Sequence, residues 1–166
     1  MKPLFAILNL SHRITLFTTV LVASMTLTGS AFAGNVHLVG NKINFLDEGV
    51  DLESTFKLAG LGYGDITVLL EVEVTVGIVV LNPGNNEPPG QQVPLIVSGA
   101  ATIPNDQIKN GTVTVTVSTV PVEKEDVDVD LNNPNWDFFI NDITFESATI
   151  TVIQNGAVVF QRTFEL

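Results

Sequence analysis

The sequence predicts an all-β protein: a single-domain antiparallel β-sandwich, immunoglobulin-like or a related Greek key, of about seven to eight strands. Three observations predict it. Apolar residues recur at every second position in several stretches, clusters of Gly, Pro and Asn separate those stretches, and no segment sustains a helical period. A closed β-barrel satisfies the same signals and is the alternative. An outer-membrane barrel does not fit, because the outward positions carry Thr and Glu where lipid requires apolar side chains.

The chain opens with a leader. Lys2, His12 and Arg13 are followed by the apolar run from Ile14 to Leu27 and by Ala31-Phe32-Ala33, the basic, apolar and small-x-small parts of a secretory signal peptide. The apolar run is shorter than the ~20 residues of a membrane-spanning helix. Residues 1–33 are therefore expected to be cleaved, leaving residues 34–166 as one β-sandwich domain that is secreted to the periplasm, cell surface or medium. Loss of Lys2 and Arg13 leaves five basic against 18 acidic residues, a formal charge of −13. Such a surface repels nucleic acid and anionic lipid head groups and keeps the chain soluble. There is no cysteine, so the expected domain is disulfide-free and held by its core alone. A basic leader without disulfides is compatible with a bacterial exported protein.

Strand signals follow in order. Val36/Leu38 and Ile43/Phe45, separated by Gly40-Asn41, read as a small hairpin or as two pieces of an edge strand. Leu52, Phe56 and Leu58 mark a second strand, ended by Gly60-Leu61-Gly62-Tyr63-Gly64. These glycines precede a strand and lack a following Lys-Ser/Thr, which excludes a nucleotide loop. From Ile66 to Leu81, Val68, Leu70, Val72, Val74 and Val76 alternate with Glu71, Glu73 and Thr75. That run is about three times the usual strand length, and Gly77 is the expected bend or bulge. Its end, Ile78 to Leu81, is apolar on both faces and is expected to be central or covered.

The loop from Asn82 to Gln92, with three prolines and two glycines, is neither helix nor ladder. A strand resumes from Val93 to Ile103, with Leu95 and Val97 on one face. Pro104 to Lys109 suits one helical turn before Asn110-Gly111 reverses the chain. Asn110-Gly111-Thr112 is formally a glycosylation acceptor, but a turn before a strand explains it fully. From Thr112 to Val120, valine and threonine alternate as in a sheet wetted on one face. Trp136 starts the last section of sheet as a core or core-rim residue. Ile143 and Phe145 have opposite parity to Ala148, Ile150 and Val152, so a β-bulge is expected near Glu146-Ser147. Asn155-Gly156 predicts a two-residue hairpin into a final strand whose Val158, Phe160 and Phe164 face the core.

The chemistry is restrictive. After cleavage the one histidine is His37, which beside Val36 and Leu38 reads most simply as a surface or edge residue, and no cysteine exists, so Cys-His and multi-histidine zinc sites cannot be formed and a Ser-His-Asp triad is not expected. Two carboxylates could serve glycoside hydrolysis, but no complete constellation is marked, and one Trp and one Tyr make a poor sugar cleft. No catalytic, cofactor or metal residues are assigned, and an enzyme is not expected. The sharpest ligand candidate is Asp126, Asp128 and Asp130, which supply calcium-type oxygen donors at alternate positions. Leu131 stands where a helix-loop-helix calcium site needs glycine, so a solvated strand edge, with Val127 and Val129 on the opposite face, is the simpler reading.

The segments Leu81-Asn82-Pro83-Gly84-Asn85-Asn86-Glu87-Pro88-Pro89-Gly90-Gln91, Pro134-Asn135-Trp136 and Ile143 to Val152 before the Asn-Gly hairpin resemble a group of small exported bacterial proteins of unknown function. Those proteins have an N-P-G-G-N-x-x-P-G-Q-like loop, an N-W pair and a final hairpin. The resemblance implies no active site. Such relatives often carry cysteines near the loop and the tryptophan; this chain has Leu81 and none.

The expected function is a secreted, non-catalytic binding or envelope-associated structural module, monomeric or weakly associating, with another surface or matrix protein as a possible partner. Alternatives are a fibre or matrix subunit that assembles through sheet edges, and a small calcium- or carbohydrate-binding module.

Overall fold

The alternation becomes two antiparallel sheets. In a computed structural model, which describes residues 35–82, 84, 90–129, 131, 133 and 135–166, seven strands follow in order. They are β1 (His37–Asp47), β2 (Leu52–Ala59), β3 (Ile66–Leu81), β4 (Gln91–Ile103), β5 (Val113–Ser118), β6 (Asp137–Gln154) and β7 (Ala157–Glu165). One sheet has the order β1-β2-β5 and the other β4-β3-β6-β7. The first, second and fifth strands thus lie against the third, sixth and seventh, the immunoglobulin-type Greek key, with β4 in the C′ place beside β3. Both sheets are open, so the barrel alternative is set aside.

β3 occupies the centre because its inward residues are β-branched or leucine without interruption. Ile66, Val68, Leu70, Val72, Val74, Val76, Ile78 and Val80 are each at most 2 % exposed. Each such side chain contributes roughly 1.5–3 kcal/mol by leaving water. Leu52, Phe56 and Leu58 of β2 and Val113, Val115 and Val117 of β5 belong to the same core from the opposite sheet. The hydroxyl of Ser54, between them on β2, is buried without a hydrogen-bond partner among the described residues.

Irregularities sit where parity had to be corrected. Glu146 is the extra residue opposite Glu73/Val74, as the change of parity predicts. A second shift falls at Gly77/Ile78, where Asn141 of β6 is extra. A Cβ on Gly77 would stand 3.1 Å from Asn141 Oδ1, so the glycine makes room for the bulge rather than forming it. β1 is interrupted between Leu38 and Ile43, with Gly40 and Asn41 at φ of 69° and 53°, as the reading of two edge-strand pieces requires. The final strand departs from expectation. Val159 is extra in β7, so Val158 faces Ile153 on the outer side and is 59 % exposed, while Phe160 and Phe164 pack against the core.

The flanks differ. On one, Val120 N–H donates to Ser98 O at 2.9 Å, and Gly99 lies so close that a Cβ would stand 1.8 Å from Ser118 O. On the other, the rings of Phe45 and Phe164 meet edge to face at 5.6 Å. Beside that pair is a cleft of about 620 Å³ whose lining includes Phe45, Leu52, Ile143 and Phe145. The segment from β5 to β6 brings Val122 and Val127 into the same core, extending cover beyond the three-stranded sheet.

Candidate functional site

The densest set of side-chain hydrogen bonds gathers at the end of the sandwich where β2 passes to β3. Three glycines let the loop from Gly60 to Asp65 fold tightly. Gly60 has φ of 85° and lies where a Cβ would be 2.5 Å from Asn35 O. Gly64, at φ of 120°, lies where a Cβ would be 2.4 Å from Asn155 Oδ1. Leu61 is buried, and its N–H donates to Gly111 O at 3.0 Å, tying the loop to the Asn110-Gly111 turn.

Gln154 clamps the loop. This side chain, 5 % exposed, accepts from Gly62 N–H at 2.9 Å and donates to the carbonyls of Gly62 and Gly64, each at 3.0 Å. Asn155 Nδ2 donates to Tyr63 O at 3.0 Å. Asn105 Oδ1 accepts from Gly64 N–H at 2.8 Å, and Asn105 N–H donates to Asp65 Oδ1 at 2.8 Å. Buried amide groups must be paired, and here the pairing also holds every residue from Gly62 to Asp65 in place. The residue displayed is Tyr63, 86 % exposed, whose ring adds nothing to the core.

Sequence reasoning recorded the glycines but missed both the clamp and the display. A signal existed. Gln154 follows Ile150 and Val152 at inward parity, and a glutamine on a core face needs polar partners from a neighbouring loop.

The residues singled out beforehand lie elsewhere. Asp126 and Asp128 are exposed, but not on a strand: Lys124–Asp126 is a single 3-10 turn, followed by chain outside the ladders. The carboxylate of Asp126 accepts from Glu123 N–H at 2.9 Å, which favours a turn over a ladder. Val127 is buried and Val129 half-buried, so the valine-in, aspartate-out pattern survives without the strand. Asp130 lies outside the described residues. Among the described residues, no group of three or more His, Cys, Asp or Glu could hold a metal ion. His37 is exposed, and its Nδ1 lies 2.6 Å from Asn35 O. Trp136 is half-buried at the rim of the core. Of the Asn82 to Gln92 loop, Pro83 and residues 85–89 lie outside the described residues; Gly84 N–H donates to Asn82 Oδ1 at 2.9 Å.

One carboxyl group is held below its ordinary value. Asp137, at the start of β6, accepts a hydrogen bond from Lys124 Nζ and another from Phe138 N–H, and the lysine's charge adds to both. Lys124 also stands 4.8 Å from the Phe138 ring centre. The pair ties the 3-10 turn to β6. On the outer face of the four-stranded sheet, Ser147 Oγ donates to Glu73 at 3.0 Å, beside a shallow cleft with Pro94, Ile96 and Glu146 in its wall.

Fold and site together define an immunoglobulin-topology sandwich that displays one aromatic residue on a clamped loop. No protein-family model and no curated protein sequence matches the chain. Among solved structures it is similar to TmCBM61 in complex with β-1,4-galactotriose, at 20 % identity over 68 % of this chain and 69 % of that one, with a TM-score of 0.23. No function is transferred from that likeness. No described helix is long and apolar enough to cross a membrane.

Proposed function

We propose that the chain is an exported, non-catalytic module that binds a component of the cell envelope or matrix through the loop bearing Tyr63. One observation carries the reading: side chains from two separate places in the sequence, Asn105 and the adjacent pair Gln154-Asn155, hold a loop whose central ring is 86 % exposed. Folding does not require that ring. Binding benefits from it, because an aromatic held still before contact loses little conformational freedom on association. The absence of cysteine supports a role without thiol catalysis, and the exposed His37 directs its Nδ1 to Asn35 O.

The test is retention of purified protein on envelopes from the producing cell. Tyr63→Ala is expected to change stability by less than about 0.5 kcal/mol, as an exposed substitution does. Envelope retention should fall about tenfold or more. Equal retention of variant and wild type would overturn the reading. Separating envelope polysaccharide from envelope protein before the assay distinguishes a carbohydrate-binding module from a protein-binding one.

A further inference from the structure

Sheet edges invite pairing, and folded proteins obstruct those they do not use. Three of the four edges here are obstructed over part of their length. β1 is broken by the interruption at Gly40 and Asn41. β4 carries Pro94 and is met by β5's continuation, where Val120 N–H donates to Ser98 O. The same contact covers the end of β5, where Ser118 O lies against Gly99. Among the described residues β7 has a neighbour on one side only, and beyond its bulge at Val159 the run Phe160 to Glu165 contains neither proline nor glycine.

We propose that β7 pairs antiparallel with β7 of a second copy of this chain about a two-fold axis at Thr163, joining the two four-stranded sheets into one. The hydrogen-bonding pattern sets the register. Leu166 N–H donates to Glu146 O, and the ladder runs through Glu165↔Ser147 and Phe164↔Ala148. Antiparallel strands alternate, so the amides and carbonyls of Phe164 and Arg162 face β6, and those of Gln161, Thr163 and Glu165 face outward. A pairing centred on Thr163 uses all three, with Thr163 exchanging both bonds with its own copy and Gln161 lying opposite the partner's Glu165.

Side chains favour the same register. On the inner face, Arg162 comes opposite the partner's Phe164, and Leu166 opposite the partner's Phe160. Within one chain the Arg162 guanidinium already sits 4.9 Å from the Phe164 ring centre, so the cation–π contact is one this strand makes. Leu166, 46 % exposed, gains an aromatic cover. A register centred on Arg162 would instead set two guanidinium groups opposite each other, and one centred on Gln161 would spend Thr163 on the bulged Val159. The contact uses the same strand on both copies, so it closes on itself and yields a dimer rather than the fibre that open-ended edge pairing would build. The reading is independent of the role of Tyr63, and it sets a dimer against the monomer that the acidic composition favours.

Sedimentation across protein concentration should show mass doubling and no larger species, with the dimer favoured by added salt, which screens the repulsion between two acidic chains. Thr163→Pro removes an outward amide while leaving the backbone bonds to β6, and should weaken association about tenfold or more; Thr163→Val, which loses the same hydroxyl contact with Thr149 but keeps the amide, should not. The cysteine-free chain permits a fold-independent check. Thr163→Cys places two thiols across the axis, where paired strands hold Cα atoms roughly 5.5 Å apart, within disulfide range, and should give a covalent dimer on oxidation. Thr114→Cys, exposed on β5, should not. A wild type monomeric at every concentration, a Thr163→Cys variant that cross-links no more than Thr114→Cys, or growth into filaments would each overturn the proposal.

Discussion

The two flanks of the sandwich close the same core by opposite means. Between β4 and β5 the backbones themselves meet: Gly99 lies against Ser118 O, and Val120 N–H reaches Ser98 O. Between β1 and β7 the gap is filled by side chains, with Phe45 against Phe164 and a cleft beside them. A flank sealed by backbone has no slack, because a carbonyl cannot rotate away as a side chain can. A flank sealed by rings tolerates change and leaves its outer strand open to a partner.

The largest expected effect tests the backbone seal. Gly99→Val must push Ser118 and its neighbours away, and should cost about 3 kcal/mol or more in a denaturant titration. A loss under about 1 kcal/mol would mean that the flank is looser than the Gly99–Ser118 approach requires. The ring seal should yield less. Phe164→Ala should cost roughly 2 kcal/mol, below the 3–5 kcal/mol of a fully enclosed phenylalanine, because Phe164 is half-buried. Combined with Phe45→Ala in a double-mutant cycle, it should show a coupling of roughly 0.5–1.5 kcal/mol; additive losses would show that β6 alone holds β7.

The smallest effect concerns the segment that leaves the closed flank and returns through the Lys124–Asp137 pair. The folded state lowers the Asp137 carboxyl below its unfolded value, through the Lys124 hydrogen bond first and the Phe138 N–H next. Its contribution is therefore present at neutral pH and lost as pH falls through the lowered folded value. Asp137→Asn should reduce the acid sensitivity of the unfolding midpoint slightly, since an exposed pair is largely screened. An unchanged pH profile would remove the pair from the account.

Much of the fold was legible because period two and turn chemistry are local. Asn155-Gly156, at φ of 52° and 78°, forms the hairpin that two left-handed residues demand. The slip at Glu146 was visible as a change of parity. Val158 was misplaced for the complementary reason: its bulge, Val159, lies among three apolar residues, and hydrophobicity alone could not say which one was extra. The Asp126 to Val129 stretch kept its alternation yet joined no ladder, since alternation records which side is wet and not which backbone lies alongside.

The sequence by itself determined the two-sheet class, the central place of Ile66 to Leu81, the hairpins, and the lack of any thiol chemistry. All of these follow from the residue types present or from neighbours within a few positions. Tertiary structure alone decided that Gln154 clamps a loop about 90 residues away, that Gly99 faces Ser118 O, and that β7 lies at the edge of the four-stranded sheet. Those facts depend on which distant strands come side by side, and that pairing is settled by the packing of the whole core.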